Sequence, residues 1–296
     1  MTAREASRTA VLVCQGRAVA HGRTAPDRYS DPTAMELLRP QERVAVERAR
    51  SGVAPSGWAD RAEFESMTAM AEVMAPRTVA IDDAVRERLH PQLVILGAGL
   101  DGRAWRLPEL TAADVYEVDH PASQQDKRDR CGALRPLARS VRFVPVDLSR
   151  EPLGPALAAA GHDAVQPTTW IWEGVVPYLT RAEVRATASA IVERSAPGSR
   201  LILNYQSPSV AAWFGRLVAR ALTIPGRRPN PFANEPRRSS WKPEAMRALL
   251  TAAGLPVSSD DDLLTLARRL PIPLRHTLSL RNGRIAVADR PAAPRA

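Results

Sequence analysis

Short apolar segments alternate with helical stretches through the last two thirds of the chain. After Pro91, five runs of β-type residues cover positions 93–96, 114–118, 141–146, 168–172 and 200–205. Stretches with helical spacing separate these runs, which is typical of parallel strands joined by crossover helices. The pattern therefore predicts an open α/β fold with a mostly parallel sheet.

The first 90 residues have apolar positions at helical spacing. Helices are expected at 29–50, with a break at Pro40, at 61–74 and at 78–89. We predict that residues 1–90 form a helical N-terminal cap and that residues 91–296 form the core. Residues 207–240 are rich in Pro, Arg and Asn, which favours a lid inserted in that core.

The remaining C-terminal segment carries helix and strand signals. A helix is expected at 242–253, ended by Gly254, and a strand is expected near Val257. A last strand is expected at 284–288, after a turn at Asn282 and Gly283.

Composition limits the class of protein. Hydrophobic residues make up 45% of the 296 positions, enough for one sizeable core. No apolar run approaches the roughly 20 residues of a membrane-spanning helix, so we expect a cytoplasmic protein without a membrane partner. Cys14 and Cys131 are far apart, and the histidines lack ligand spacing, so neither a disulfide nor a metal site is expected.

The formal net charge is +9, which raises the question of a nucleic-acid partner. Nearly all basic residues are arginines scattered along the chain, and the lysines are Lys127 and Lys242. A surface for single-stranded nucleic acid would instead combine basic groups with aromatic side chains. The pattern argues against a nucleic-acid partner and is compatible with an anionic small-molecule substrate.

An apolar strand runs directly into a glycine-rich turn, with Gly97, Gly99 and Gly102 in the spacing G-x-G-x-x-G. Glycine lets a backbone pass close to a bound cofactor because it has no Cβ. About 20 residues later, Asp119 ends the second strand, where a carboxylate can accept two hydrogen bonds from a ribose diol. The motif fits an NAD-dependent oxidoreductase as well as a methyltransferase, and a tight turn without a ligand is a third alternative.

Charges near this turn favour a sulfonium cofactor over a dinucleotide. Asp101 would repel a pyrophosphate at the following helix N-terminus. Asp147 and Glu173 end the third and fourth strands, so with Asp119 three carboxylates are expected at one edge of the sheet. Such a negative rim suits S-adenosylmethionine, which carries a sulfonium and an ammonium group. Arg77 is the expected partner of its carboxylate.

A series of motifs resembles the leucine carboxyl methyltransferase family, which includes protein-phosphatase-directed, tRNA-modifying and tetracenomycin-type polyketide enzymes. The likeness covers most of the chain up to residue 205. It rests on Tyr29-Ser-Asp-Pro32, Arg77-Thr78, Ile81-Asp-Asp83, Leu96-Gly-Ala-Gly-Leu-Asp101, Trp105-Arg-Leu107, Tyr116-Glu-Val-Asp119-His-Pro121, Lys127, Val146-Asp-Leu148, Glu173-Gly174 and Tyr178-Leu179.

The resemblance implies a seven-stranded, mostly parallel Rossmann-like sheet with an antiparallel last strand, and S-adenosylmethionine as cofactor. The expected cofactor-binding residues are Arg77, Gly97, Gly99, Asp119, Asp147, Leu148 and Glu173. The leucine-directed enzymes also use a lysine near the N-terminus, whereas this chain has none before Lys127. Together with the lid, this departure favours the small-molecule, polyketide branch of secondary metabolism.

Methyl transfer from a sulfonium is an in-line displacement that alignment and desolvation can accelerate without a metal. A carboxylate acceptor is ionised at neutral pH, whereas a phenol, with a pKa of about 10, benefits from a base. His120, Tyr178 and Tyr205 are the candidates for such a base. We expect an O-methyltransferase that acts on a carboxylate or hydroxyl of a small molecule. An NAD-dependent oxidoreductase and a non-enzymatic nucleotide- or RNA-binding module are the alternatives.

Overall fold

A computed structural model describes residues 7–208, 237–272, 274 and 277–292. Its centre is a seven-stranded sheet in the order β3-β2-β1-β4-β5-β7-β6. The strands are β1 Gln92–Leu96, β2 Asp114–Asp119, β3 Ser140–Pro145, β4 Thr168–Trp172, β5 Arg200–Gln206, β6 Val257–Asp262 and β7 Gly283–Asp289. The five strands predicted from the apolar runs are all present, with bounds that differ from the prediction by at most one residue.

Strands β1 to β5 are mutually parallel, and β7 runs antiparallel to both β5 and β6. Every residue of β1 and of β4 is buried, as expected for central strands of a parallel sheet that is covered on both faces. The predicted open α/β fold with an antiparallel last strand is therefore confirmed. The chain order reverses beside β1, and this places a crevice at the carboxyl ends of β1 and β4.

The helices cover the two faces of the sheet. They are α1 Arg8–Ala20, α2 Thr33–Glu36, α3 Pro40–Ser51, α4 Trp58–Glu87, α5 Arg103–Arg106, α6 Pro121–Cys131, α7 Leu153–Ala159, α8 Arg181–Glu193, α9 Pro243–Ala252, α10 Leu263–Ala267 and α11 Thr277–Asn282. Within the described residues, no helix combines the length and the apolar character that a membrane crossing requires.

Two expectations for the N-terminal region were wrong. The stretches 61–74 and 78–89 are one helix, α4, that passes through Pro76. A proline removes one backbone hydrogen bond from a helix, but Ala75 and Arg77 on either side are buried, so tertiary packing holds the helix together. Helix α1 was not expected at all. Its residues from Cys14 to Ala20 are all buried, so it lacks the one-sided apolar stripe that marks a surface helix.

The segment before the last strand also differs from the expectation. Helix α11 leads directly into β7, whereas a turn was predicted at Asn282 and Gly283. The hairpin turn typical of an Asn-Gly pair needs positive φ angles, and neither residue has one. The predicted lid at 207–240 lies largely outside the described residues, and the division into a cap at 1–90 and a core at 91–296 stays a prediction.

Candidate active site

A cavity of about 500 Å³ opens at the carboxyl ends of β1, β2 and β4. Its volume is within the range of small-molecule and cofactor sites, about 300–1,000 Å³. All seven residues predicted to bind the cofactor line this cavity: Arg77, Gly97, Gly99, Asp119, Asp147, Leu148 and Glu173. The structure therefore brings together side chains from α4, the glycine turn and three strand ends.

The glycine turn is shaped by its protein neighbours. Gly97 and Gly99 have φ angles of +67° and +49°, which side chains rarely adopt. A Cβ on Gly97 would lie 2.0 Å from Cγ2 of Val175, and a Cβ on Gly99 would lie 3.0 Å from Cβ of Ala10. The expectation was that a Cβ would collide with the cofactor, but the collisions seen are with α1 and with the segment after β4.

Asp119 is fixed by the backbone around it. Its two carboxylate oxygens accept hydrogen bonds from the backbone N–H groups of Gly99 and His120, each at 2.6 Å. Burial raises the pKa of Asp119, and these two hydrogen bonds oppose that effect. The carboxylate therefore joins the end of β2 to the glycine turn, and each oxygen keeps further lone pairs for a ligand.

Glu173 differs from the expected negative rim because three arginines neutralise it. Its Oε1 accepts from Nη2 of Arg17 at 2.8 Å and from Nε of Arg77 at 2.7 Å. Its Oε2 accepts from Nη1 of Arg103 at 2.8 Å. Burial would raise the pKa of Glu173, but the three guanidinium groups outweigh burial and hold it well below its ordinary value. At neutral pH the end of β4 is thus a carboxylate inside a cationic cluster.

Arg17 is a site residue that the sequence reasoning missed. It lies on the buried helix α1, lines the cavity, and is 4% exposed. Its Nε is buried and has no hydrogen-bond partner among the described residues. The missing N-terminal lysine is the signal in the sequence that points to another cation in this segment. Arg17 and Arg77 thus lie side by side at Glu173 in the lining of the cavity.

Asp147 lies at the far end of the site, directly after β3. Its Oδ1 accepts from the backbone N–H of Ser149 at 3.0 Å and from the Ser149 hydroxyl at 2.5 Å. The backbone N–H of Asp147 in turn donates to Oε2 of Glu151 at 2.8 Å. These contacts form a polar turn next to the apolar side chain of Leu148, which also lines the cavity.

The three candidate bases have different positions. His120 and Tyr178 line the cavity, and Nδ1 of His120 accepts from the backbone N–H of Ala122 at 3.3 Å, capping α6. Tyr205 is not at the cavity, because its hydroxyl donates to Oδ2 of Asp260 at 2.7 Å on β6. Burial and this contact raise the pKa of Tyr205. The prediction that Tyr205 faces the cofactor was therefore wrong.

The structure changes the argument against a dinucleotide. Asp101 lines the cavity but pairs with Arg103, and its carbonyl accepts from Nζ of Lys127 at 2.6 Å, so its charge is compensated. The helix that follows the glycine turn, α5, has only four residues. A pyrophosphate binds at the N-terminus of a helix whose peptide dipoles add up. The short α5 therefore gives a dinucleotide little support.

The sequence matches a family model described as leucine carboxyl methyltransferase over residues 10–192. A protein of Mycolicibacterium gilvum, described as an S-adenosyl-L-methionine-dependent methyltransferase, is 38% identical over 228 residues, 73% of this chain and 71% of that protein. A protein of Frankia alni with the same description is 35% identical over 210 residues, 70% of this chain and 71% of that protein. Residues 10–192, which match the family model, contain Arg17 and all seven predicted cofactor-binding residues.

Among solved structures, a methyltransferase from Thermobifida fusca superposes with a TM-score of 0.56. The superposition covers 94% of each chain, and the sequences are 15% identical. At this identity the likeness concerns the fold alone.

Proposed function

Because the chain belongs to the leucine carboxyl methyltransferase family and is an S-adenosylmethionine-dependent methyltransferase, we propose that it methylates an oxygen of a small anionic acceptor. The acceptor group that we propose first is a carboxylate. The observation that carries the proposal is the distribution of charge in the cavity. Among the described residues, the lining carboxylates are Asp101, Asp119, Asp147 and Glu173. Each of these is paired or is assigned below to the cofactor, so none of them is left to face the acceptor.

We propose that Arg17 and Arg77 bind the carboxylate of the cofactor. Two features of the structure fit this group: both residues line the cavity, and their guanidinium groups converge on one oxygen of Glu173, which also lines it. A carboxylate held by two arginines gains charge-assisted hydrogen bonds.

The remaining cofactor contacts follow the order of the strands. Asp119 would accept hydrogen bonds from the ribose hydroxyls, since its lone pairs are not exhausted by the two backbone donors. Asp147 and Leu148 would flank the adenine with one polar and one apolar side chain. Glu173 would support the cofactor site indirectly, because its contacts with Arg17 and Arg77 fix where those two guanidinium groups lie.

When bound, S-adenosylmethionine supplies a methyl group on a positively charged sulfur, which leaves as a neutral thioether. The protein's task is to align the acceptor and exclude water. The described lining residues that have polar side chains and are not assigned here to the cofactor include Ser7, Arg8, Thr9, His120, Ser123, Tyr178 and Arg238. Arg8 in this set would attract an anion, whereas Arg238 is paired with Glu183. A carboxylate also needs no base, since it is ionised at neutral pH.

We also propose that the chain belongs to the small-molecule branch of the family, but the support for this differs from the sequence argument. Because Arg17 supplies an N-terminal cation, the missing lysine no longer separates this chain from the leucine-directed enzymes. What supports a small acceptor is the volume of the cavity, about 500 Å³, of which the cofactor would take a large part.

Labelled methyl transfer to a panel of acceptors tests the proposal. The panel would include small carboxylic acids, phenols, amines and a peptide ending in leucine. We expect label in a carboxylic acid, and we expect alkali to release it as methanol, because esters hydrolyse in alkali and aryl ethers do not. Alkali-stable label in a phenol would replace the carboxylate by a hydroxyl acceptor. Label in the leucine peptide alone would refute the small-molecule assignment.

A further inference from the structure

Arg103 is buried completely and lies outside the cavity lining. It sits on α5, directly behind the glycine turn. Its Nη1 donates to Oε2 of Glu173 at 2.8 Å and also to a carboxylate oxygen of Asp101. Its Nε donates to Oδ1 of Asp82, on α4, at 2.7 Å. A single guanidinium group thus joins the end of β4, the glycine turn and α4.

We propose that Arg103 is a positioning residue, which holds Glu173 so that Arg17 and Arg77 present their guanidinium groups to the cofactor's carboxylate. The two carboxylate oxygens of Glu173 accept hydrogen bonds from different arginines. Oε2 is held by Arg103, while Oε1 receives both Arg17 and Arg77. Because Oε2 is anchored, the direction of Oε1 is fixed, and so is the place where the two cavity arginines meet.

The charge balance around Glu173 supports this role. The groups that face it are Arg17 from α1, Arg77 from α4 and Arg103 from α5, with Asp101 of the glycine turn at 3.9 Å from Nη2 of Arg17. Arg103 is shared among Glu173, Asp101 and Asp82, so it supplies part of the charge that compensates the first two. Without Arg103, Arg17 and Arg77 would have to take over the neutralisation of Glu173 and Asp101. They would then be weaker ligands for an anion.

Arg106 offers a matched control on the same short helix. It is nearly as buried as Arg103, with 3% of its side chain exposed, and it also binds Asp82, at 2.7 Å. Its other carboxylate partner is Asp31, at 3.5 Å, and it contacts neither Glu173 nor Asp101. A change at Arg106 therefore disturbs the same buried network, including Asp82, without removing a contact to Glu173 or Asp101.

The test compares Arg103→Lys with Arg106→Lys, since lysine keeps the charge but cannot bridge several carboxylates as the guanidinium fork does. Binding of S-adenosylmethionine is measured by calorimetry, and the stability of each variant is measured without the cofactor. We expect Arg103→Lys to raise the Kd about tenfold, because this change corresponds to the loss of about one hydrogen bond to a charged group. Arg106→Lys should bind as the parent does, even where it loses as much stability.

The dependence of the Kd on pH is a second measurement, and it would not change if Arg103 only stabilised the fold. In the parent, three arginines keep Glu173 ionised, so the Kd should be flat from neutral to mildly acidic pH. In Arg103→Met, one of the three is lost and the pKa of Glu173 rises, so the Kd should become dependent on pH over this range. If this variant does not fold, the lysine pair decides the question.

This inference rests on the proposed binding of the cofactor's carboxylate by Arg17 and Arg77, and the two can fail separately. Equal losses of affinity in Arg103→Lys and Arg106→Lys, or none in either, would overturn the role of Arg103. If Arg17→Met binds S-adenosylmethionine normally, the proposed carboxylate site itself is wrong.

Discussion

Replacing Arg17 by methionine tests the part of the site that the sequence did not reveal. The change keeps the length of the aliphatic chain and removes the guanidinium group. Arg17 is 4% exposed and its Nη2 lies 2.8 Å from Glu173, so the proposed contact with the cofactor is desolvated. A hydrogen bond between charged groups in such a place contributes about 1.5–3 kcal/mol.

That range corresponds to a rise of the Kd for S-adenosylmethionine by about 10- to 150-fold, at 1.4 kcal/mol for each factor of ten. Removing one partner of a simple buried ion pair costs about 3–5 kcal/mol of stability. Here the loss should be smaller, because Arg77 and Arg103 still neutralise Glu173. The variant should therefore fold, and isothermal titration calorimetry can measure its affinity.

Arg50→Met is the control for this experiment. Arg50 also supports α1, through hydrogen bonds from Nη1 to the carbonyls of Ala18 and His21 at 2.8 and 2.7 Å, but it does not line the cavity. It should lower the stability and leave the Kd unchanged. A Kd within about twofold of the parent in Arg17→Met, less than half a kcal/mol, would refute the assignment of Arg17.

Three further predictions concern the cavity and the fold. Asp119→Ala should abolish binding of S-adenosylmethionine in calorimetry, because it removes the proposed ribose acceptor and the tie to the glycine turn; near-normal affinity would contradict that role. Gly97→Ala should lower the free energy of unfolding by about 1–3 kcal/mol, measured by urea denaturation, since its Cβ would lie 2.0 Å from Val175. Adding Val175→Ala should recover only part of this loss, because the positive φ remains. Burial lowers the pKa of His162 to about 4. As the pH falls below 6.5, the histidine is therefore protonated in the unfolded chain before it is protonated in the folded protein. The free energy of unfolding should drop by up to about 3 kcal/mol between pH 6.5 and 4. His162→Gln should flatten that dependence, and an unchanged slope would show that other groups cause it.

Local sequence patterns were sufficient for the positions of the first five strands along the chain and for the glycine turn. Parallel strands in the middle of a sheet are buried on both faces, and they appear as short continuous apolar runs that can be recognised without tertiary information. The acids at the strand ends could be found in the same way, since strand ends of a parallel sheet share one edge. Asp119 and Asp147 both line the cavity as this rule predicts.

The helices before the sheet were harder to predict because their environment is tertiary. Helix α1 is buried around its C-terminal half, so its sequence carries no amphipathic period from which to recognise it. The packing around Pro76 continues α4 where proline alone predicts a break. Each result depends on neighbours that are distant in sequence.

The sequence by itself determined the class of fold, the family and the segments at the strand ends that line the cavity, since these follow from local periodicity and from the order of short motifs. Only the tertiary structure decided the charge of the site. Glu173 belongs to a cationic cluster because Arg17, Arg77 and Arg103, from three separate helices, meet at its two oxygens. Tyr205 was excluded in the same way, by its contact with Asp260. A side chain's partners depend on distances through space, and these are fixed only when the helices pack on the sheet.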